Sequence, residues 1–223
     1  MSDNIFSKNL QVLKSRFPAL ADKVLSIPFS SVAAVPTEDG GICYAEQNEK
    51  GQWVPVSNFR NPIAAAQTGL DKMNHRLSKG LSPAVVVGLY PGYILETVFH
   101  HFLSRLKYNE PFRHIYVVID SMPCLAGWLK TVDRAAILER PEVLFFWHED
   151  VDGIVKLCEA DEQRSHLFIP VSSLPEERLE QIIKPLTELY IKRNNELERW
   201  QKENNGYYDE LNDKALAEIM RGM

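Results

Sequence analysis

Several features that mark common functional classes are missing from this sequence. No block of five or more basic residues occurs and the formal net charge is −5, so the electrostatic footprint of a nucleic-acid binder is absent. No apolar run reaches the roughly 18 residues that a membrane-spanning helix needs. The amino terminus, MSDNIFSKNL, is polar and lacks the apolar core of a signal peptide. These absences predict a cytoplasmic protein whose partners include neither nucleic acid nor membrane.

Cysteine and catalytic motifs are scarce as well. The three cysteines, Cys43, Cys124 and Cys158, are odd in number and far apart, which favours reduced, mostly buried thiols over a disulfide or zinc framework. The sequence contains no P-loop, no G-x-S-x-G nucleophile elbow, no C-x-x-C and no H-E-x-x-H. We therefore predict no metal site and assign no catalytic residue, and whether the chain is an enzyme stays open.

The sequence does contain a regular alternation of strand and helix patterns. Short apolar, β-branched runs at 84–87, 115–120, 142–147 and 166–171 are separated by segments with helical periodicity. Alternation of this kind is typical of a parallel sheet with helices on its faces. We predict a Rossmann-like, methyltransferase-like core over residues 59–175, with an α/β doubly wound sheet.

Two flanking segments have a different character. Residues 1–58 contain a helical stripe from Asn4 to Ile27, interrupted at Pro18, followed by strand patterns at 31–35, 42–45 and 53–56. This predicts an N-terminal helix and a small antiparallel β-meander. A helix is predicted to start at Asn61-Pro62 and to run to Leu77. Residues 176–223 read as a C-terminal helical extension whose last helix spans 209–221.

A glycine turn follows the strand at 84–87. Gly88 and Gly92 bracket a turn from strand to helix, and Asp120 ends the next strand. In dinucleotide and S-adenosylmethionine folds such a turn approaches the ligand, and such an acid binds ribose hydroxyls. Tyr90 and Pro91 interrupt the G-x-G-x-x-G pattern, however. The alternative is that the two glycines only permit a tight turn.

Other polar residues lie near strand ends. His148, Glu149 and Asp150 with Asp152 suit a metal or acid–base site, but acids near a helix start in a solvated loop are the simpler interpretation.

The histidine pair and two potential nucleophiles give weaker signals. The adjacent His100 and His101 point to different faces of a helix, so they do not form the i, i+4 pair of a helical zinc site. Ser121 and Cys124 follow Asp120 closely, but nothing marks either as activated.

The order of these features resembles the N-terminal domain of the Maf-like (motility-associated factor) flagellin glycosyltransferases. The resemblance rests on the leading helix into Phe17-Pro18-Ala19-Leu20, the meander, the Asn-Pro helix start and the Val-Val-Val-Gly-Leu-Tyr-Pro-Gly-Tyr turn. It covers most of the chain. The family's Gly-Leu-Gly-Leu-Gly-Tyr turn is matched by Gly88, Gly92 and Tyr93, and its acid after the next strand by Asp120. Tyr90 stands where that family has its middle glycine.

The resemblance implies a role in bacterial protein glycosylation. Members of that family transfer nonulosonic acids, such as pseudaminic or legionaminic acid, from nucleotide sugars to flagellin serine and threonine. Their catalytic Gly-Ala-Gly-Pro-Ser turn does not occur in this sequence. We therefore expect a non-catalytic accessory domain whose partners are flagellin or a glycosyltransferase domain.

Two alternatives stay open. One is a methyltransferase-like or other nucleotide-binding enzyme, with S-adenosylmethionine or a nucleotide sugar held by Gly88, Gly92, Tyr93 and Asp120. The other is a protein-interaction module that acts through the C-terminal helices, which would then also join copies of the chain into a homo-oligomer.

Overall fold

The computed structural model describes most of the chain. The described residues are 2–55, 60–68, 71, 84–89, 91–106, 114–160, 167–170, 176–177, 179–189, 191–192, 195–196, 198–200 and 202–203. They form a mixed α/β structure with one antiparallel and one parallel sheet. The predicted helix at 209–221, the end of the helix predicted to reach Leu77, and Tyr90 lie outside these residues. No helix among the described residues combines the length and apolar character needed to cross a membrane.

Two helices open the chain. Helix α1 spans Ser2–Arg16 and α2 spans Pro18–Leu25. Pro18 occupies the first turn of α2, where its missing N–H costs nothing. The predicted split at Pro18 is confirmed.

The meander predicted for residues 31–56 is confirmed as an antiparallel sheet. A short 3₁₀ turn, Phe29–Ser31, leads into β1 (Val32–Pro36), which pairs with β2 (Ile42–Gln47), and β2 pairs with β3 (Trp53–Pro55). Gly40 adopts φ 78° in the turn between β1 and β2. Residues 62–68 are helical (α3).

The second sheet is parallel throughout. It contains β4 (Ala84–Val87), β5 (Ile115–Ile119), β6 (Val143–Trp147) and β7 (Leu167–Pro170) in the spatial order β6-β5-β4-β7. The order runs backwards along the chain from β6 to β4 and then jumps to β7. The carboxyl ends of β4 and β5 therefore lie side by side.

Helices connect these strands. They are α4 (Tyr93–Leu106), α5 (Met122–Thr131), α6 (Ala135–Leu138) and α7 (Val151–Ala160). A further helical stretch, 179–189, belongs to the predicted C-terminal extension.

Buried side chains from the parallel sheet divide between two hydrophobic clusters, one on each face. Ala84 and Val86 of β4 belong to the first, which includes residues of α1, α2, α4 and α5. Val85 and Val87 belong to the second, which includes residues of α7 and of 179–189. Because both faces of the strands are buried, the strand sequences are continuously apolar rather than alternating.

The meander is packed against the main body of the protein. Tyr44 of β2 is 2% exposed and belongs to the first cluster. A Cβ atom at Gly127 of α5 would lie 2.5 Å from Cδ1 of Tyr44, so only glycine admits this close approach.

Candidate functional site

The glycine turn lies at the carboxyl end of β4. Gly88 has φ 93°, and its N–H donates to the Val118 carbonyl of β5 at 2.8 Å. Helix α4 begins at Tyr93. This is the predicted sequence of strand, tight turn and helix, and the turn lies at the sheet edge where α/β proteins usually bind ligands.

Asp120 reaches this turn, as the sequence suggested. It follows β5 directly, is half-buried, and its Oδ1 accepts the Leu89 N–H at 3.4 Å. Gly88 and Asp120 thus lie together at one edge of the sheet. The Leu89 N–H, one of the backbone donors of the turn, is therefore bonded to the Asp120 side chain.

Gly92 faces the interior of the protein. Its φ is 109°, and a Cβ atom there would lie 2.4 Å from Nε1 of Trp128. Trp128 is fully buried. The missing side chain of Gly92 therefore makes room for an indole ring of α5, and this contact accounts for the glycine without a ligand.

Tyr93, the fourth predicted site residue, contacts the meander. Its hydroxyl accepts the N–H of Ile42, the first residue of β2, at 2.6 Å. The hydroxyl also limits the space at Gly41, where a Cβ atom would lie 2.9 Å away. Tyr93 thus ties the start of α4 to the meander.

Below the turn lies a buried charged cluster that sequence reasoning missed. Arg134 and Glu96 form an ion pair at 2.5 Å, with side chains 10% and 24% exposed. Trp128 Nε1 donates to the same Glu96 oxygen at 3.3 Å, and the Arg134 guanidinium lies 4.9 Å from the centre of the Trp128 ring. Glu96 could have been noticed because it falls in the first turn of the helix after the glycines. No local pattern singles out Arg134.

The meander also contacts the turn. The Tyr44 hydroxyl lies 3.5 Å from the Pro91 carbonyl, to which it donates, and 3.3 Å from the Thr131 hydroxyl. Burial raises the pKa of the Tyr44 phenol, so this group stays a neutral hydrogen-bonding group at physiological pH. The turn is therefore supported by protein on the side of the meander.

Ser121 and Cys124 have structural roles. The Ser121 Oγ accepts the Cys124 N–H at 3.2 Å and caps α5. Cys124 is 1% exposed, and its pKa is raised first by burial and then by the charge of Asp120. A buried, protonated thiol is a poor nucleophile.

The acids after β6 fit the simpler interpretation given above, in which they lie in a solvated loop near a helix start. The Asp150 Oδ1 accepts the Gly153 N–H at 3.2 Å, at the start of α7. Within the described part of the chain, no group of three histidine, cysteine, aspartate or glutamate side chains is placed to hold a metal ion. His100 is exposed, and the side chain of His101 lies outside the described residues.

Comparison of the chain with models of known protein families and with curated protein sequences gives no match.

Proposed function

We propose that this chain is a Rossmann-like, non-catalytic accessory domain of a Maf-like flagellin glycosylation protein. The sheet order β6-β5-β4-β7 corresponds to the order 3-2-1-4 that begins a doubly wound sheet, and apolar clusters cover both of its faces. In this proposal the domain positions flagellin or a glycosyltransferase domain. Transfer of the nonulosonic acid belongs to a catalytic domain outside these 223 residues.

The observation that carries the proposal is the way in which the glycine turn is filled. The indole of Trp128 occupies the space beside Gly92, and the Leu89 N–H is bonded to Asp120. In a phosphate-binding turn, by contrast, glycines let the ligand approach and backbone N–H groups point at it. This turn supports packing within the domain, which suits a scaffold.

The test combines binding with transfer. The purified chain is mixed with unglycosylated flagellin and a cytidine-monophosphate-activated nonulosonic acid. We expect flagellin to bind in calorimetry while its mass stays unchanged in mass spectrometry. A gain of one sugar mass catalysed by the chain alone would show that the domain is catalytic. Failure to bind either flagellin or the transferase domain of a Maf-like protein would remove the accessory role.

One observation favours a second candidate, a methyltransferase-like or other nucleotide-binding enzyme. The strand order reverses at β4, and the half-buried Asp120 lies at the carboxyl edge beside it. Crevices at such switch points bind nucleotides in open α/β sheets. Asp120 would hold ribose hydroxyls next to the backbone of the Gly88 turn.

A thermal-shift panel separates the two candidates. S-adenosylmethionine, NAD and nucleotide sugars are each added at high excess, and the accessory role predicts no change in Tm. Saturation to about 100 times Kd would add about 2.7 kcal/mol, or roughly 5–10 °C in a domain of this size. A shift of this size that is lost in Asp120→Ala and kept in Asp152→Ala would establish the nucleotide site. Asp152 is an exposed acid at the start of α7, away from the crevice.

The third candidate, an interaction module, is favoured by exposed apolar side chains near the end of the described chain. Ile191 and Trp200 are 51% and 50% exposed. If this segment forms a homo-oligomer, Trp200→Ala will lower the mass measured in solution. An unchanged mass would count against the segment as an interface.

A further inference from the structure

Strand β6 is an outer strand of the parallel sheet. It pairs with β5 on one side, and the spatial order places no strand on its other side among the described residues. The Ile115 N–H donates to the Glu142 carbonyl, and the His148 N–H donates to the Ile119 carbonyl. This pattern turns the backbone of even-numbered residues of β6 toward β5. The backbone groups of Val143, Phe145 and Trp147 therefore point outward.

Half of these six outward groups are occupied within the chain. The Val143 N–H donates to the Arg140 carbonyl at 3.1 Å, and the Val143 carbonyl accepts from Arg16 at 3.1 Å. The Trp147 carbonyl accepts the Asp150 N–H at 2.9 Å. No described residue bonds to the N–H or carbonyl of Phe145 or to the N–H of Trp147.

A cleft of about 470 Å³ runs along this edge. One wall is formed by Phe17, Pro18, Ala19, Leu20 and Lys23, and the other by Phe145, Phe146, Trp147, Glu149 and Asp150. Successive side chains of a strand point to opposite faces, so a cleft that touches three of them in a row opens at the strand edge. Phe145 is only 4% exposed, and buried backbone groups are almost always paired. The cleft therefore calls for a partner that supplies backbone hydrogen bonds.

We propose that β6 pairs in antiparallel fashion with β6 of a second copy of this chain, about a two-fold axis at Phe145. The two four-stranded sheets then form one continuous sheet. The Phe145 N–H of each copy donates to the Phe145 carbonyl of the other. The Trp147 N–H of each copy donates to the second lone pair of the Val143 carbonyl of the other.

The pattern of occupied groups fits this register. Opposite each other in the register stand Val143 of one copy and Trp147 of the other. The two groups of this pair that the register does not use, the Val143 N–H and the Trp147 carbonyl, are both bonded within the chain. The Val143 carbonyl also accepts from Arg16, so it would accept from the second copy with its other lone pair. Every unpaired outward group thus gains a partner, as expected of a self-complementary two-fold interface.

Charge supports a second copy over an unrelated peptide. The exposed acids Glu149 and Asp150 follow the carboxyl end of β6, where Lys23 lies over the Trp147 ring. Arg140 and Arg16 lie beside its amino end, together with Glu139 and Glu142. In the register about Phe145, the exposed Arg140 of each copy stands opposite Asp150 of the other and next to Glu149. The attraction occurs twice because of the two-fold symmetry.

Analytical ultracentrifugation of the 223-residue chain over a range of concentrations tests the proposal. We expect a reversible dimer whose Kd rises at least about tenfold in Glu149→Arg and likewise in Arg140→Glu, because attraction becomes repulsion at two sites. The double variant restores the charge pairing and returns Kd to within about threefold of the wild-type value. Both side chains are exposed, so both single variants should keep the wild-type fold. Glu177→Arg, an exposed site on the C-terminal helical segment, is the matched control and should leave Kd unchanged.

Hydrogen exchange locates the interface. The Phe145 and Trp147 amides should become protected as the concentration rises, while the Val143 amide, bonded to Arg140, is protected throughout. A monomer at every concentration would overturn the proposal. So would a dimer that ignores the charge reversals, or one that Trp200→Ala dissociates. This proposal does not depend on the function proposed above.

Discussion

At the scale of single residues, Trp128 decides what the glycine turn does. It lies on α5, fills the space beside Gly92 and is held by Glu96 and Arg134. A turn that resembles a ligand-binding motif in sequence is thereby occupied by a side chain of the protein. The same contact makes Gly92 sensitive to substitution.

We predict that Gly92→Ala lowers the free energy of unfolding by about 3 kcal/mol or more. The positive φ costs a side chain roughly 1–3 kcal/mol, and the added methyl group must displace the Trp128 ring at further cost. Urea unfolding measures the loss. Gly40→Ala is the matched control, because Gly40 also has a positive φ, 78°, but a Cβ atom there meets nothing within 4 Å. We expect Gly40→Ala to lower the free energy of unfolding by about 1 kcal/mol. Equal losses in the two variants would mean that the Trp128 contact is unimportant.

The residue scale also shows where sequence reasoning succeeded and where it stopped. Gly88, Gly92 and Asp120 were found because a strand end, a turn and the next strand end are local patterns, and parallel strands bring their carboxyl ends together. The partner of Gly92 is not local. Trp128 is separated from it by a whole strand, so its contact follows only from the packing of α5 under α4.

At the scale of elements, helix α1 is anchored by one buried amide. The Asn9 side chain is fully buried, donates to the carbonyls of Leu129 and Val132 at 2.8 and 2.7 Å, and accepts the Arg134 N–H at 2.8 Å. These bonds provide hydrogen-bond partners for backbone groups at the end of α5 and in the loop after it. Asn9 thereby joins the N-terminal helix to the segment that carries the buried ion pair.

We predict that Asn9→Ala lowers stability by about 2–4 kcal/mol, because two carbonyls and one N–H lose their buried partner. Chemical denaturation monitored by circular dichroism gives the value. Lys8→Ala is the neighbouring control. The Lys8–Asp133 ion pair, at 2.6 Å, is more than half exposed on both sides and should contribute little. An Asn9→Ala effect as small as that of the control would rule out the anchoring role.

The start of α3 depends on Asp39. One oxygen of its carboxylate accepts the N–H groups of Ile63 and Ala64 at 2.8 and 3.2 Å, and the other accepts from Thr37 and Gly41. Burial tends to raise the pKa of Asp39, but the hydrogen bonds to Thr37, Ala64, Ile63 and Gly41 outweigh it and lower the pKa below its ordinary value. The carboxylate therefore ties the β1–β2 turn to the helix.

This depressed pKa predicts the sign of a pH effect. A group whose folded pKa is lowered stabilises the protein above its unfolded pKa, near 3.8, and loses that contribution as the pH falls through the folded value. We expect the wild type to be more stable than Asp39→Asn at pH 7, with the difference shrinking below about pH 4. Thermal melts from pH 7 to pH 3 measure it. Asp22→Asn, at an exposed site on α2, serves as the control for removal of one charge. A difference that stays constant over this range would contradict the prediction.

At the scale of the whole molecule, the three cysteines are distributed through the interior. Cys124 belongs to the first apolar cluster and Cys158 to the second, and Cys43 is buried in the meander. Cys43, Cys124 and Cys158 are 0%, 1% and 0% exposed, and all are free thiols. The prediction that these thiols are buried is confirmed. Burial also raises the pKa of Cys124, which keeps its thiol protonated.

We therefore predict that the native protein reacts very slowly with a disulfide reagent such as 5,5′-dithiobis(2-nitrobenzoic acid). In denaturant all three thiols should titrate, because reaction needs an accessible thiolate. The absorbance of the released thiolate records both rates. Rapid native reaction of one thiol would mean that its part of the core opens far more often than the rest.

What the sequence determined by itself is local. The periods of its apolar residues specify strands, helices and a meander, and Pro18, Gly88 and Asp120 mark where they begin or end. What the tertiary structure decided depends on residues that are distant in the chain. It brings Trp128 against Gly92, pairs Glu96 with Arg134, and leaves β6 at the sheet edge beside a cleft, with three backbone groups that no described residue bonds. The reason is physical: hydrogen-bond periodicity acts over a few residues, whereas packing and strand order arise only when separate elements bury their faces against one another.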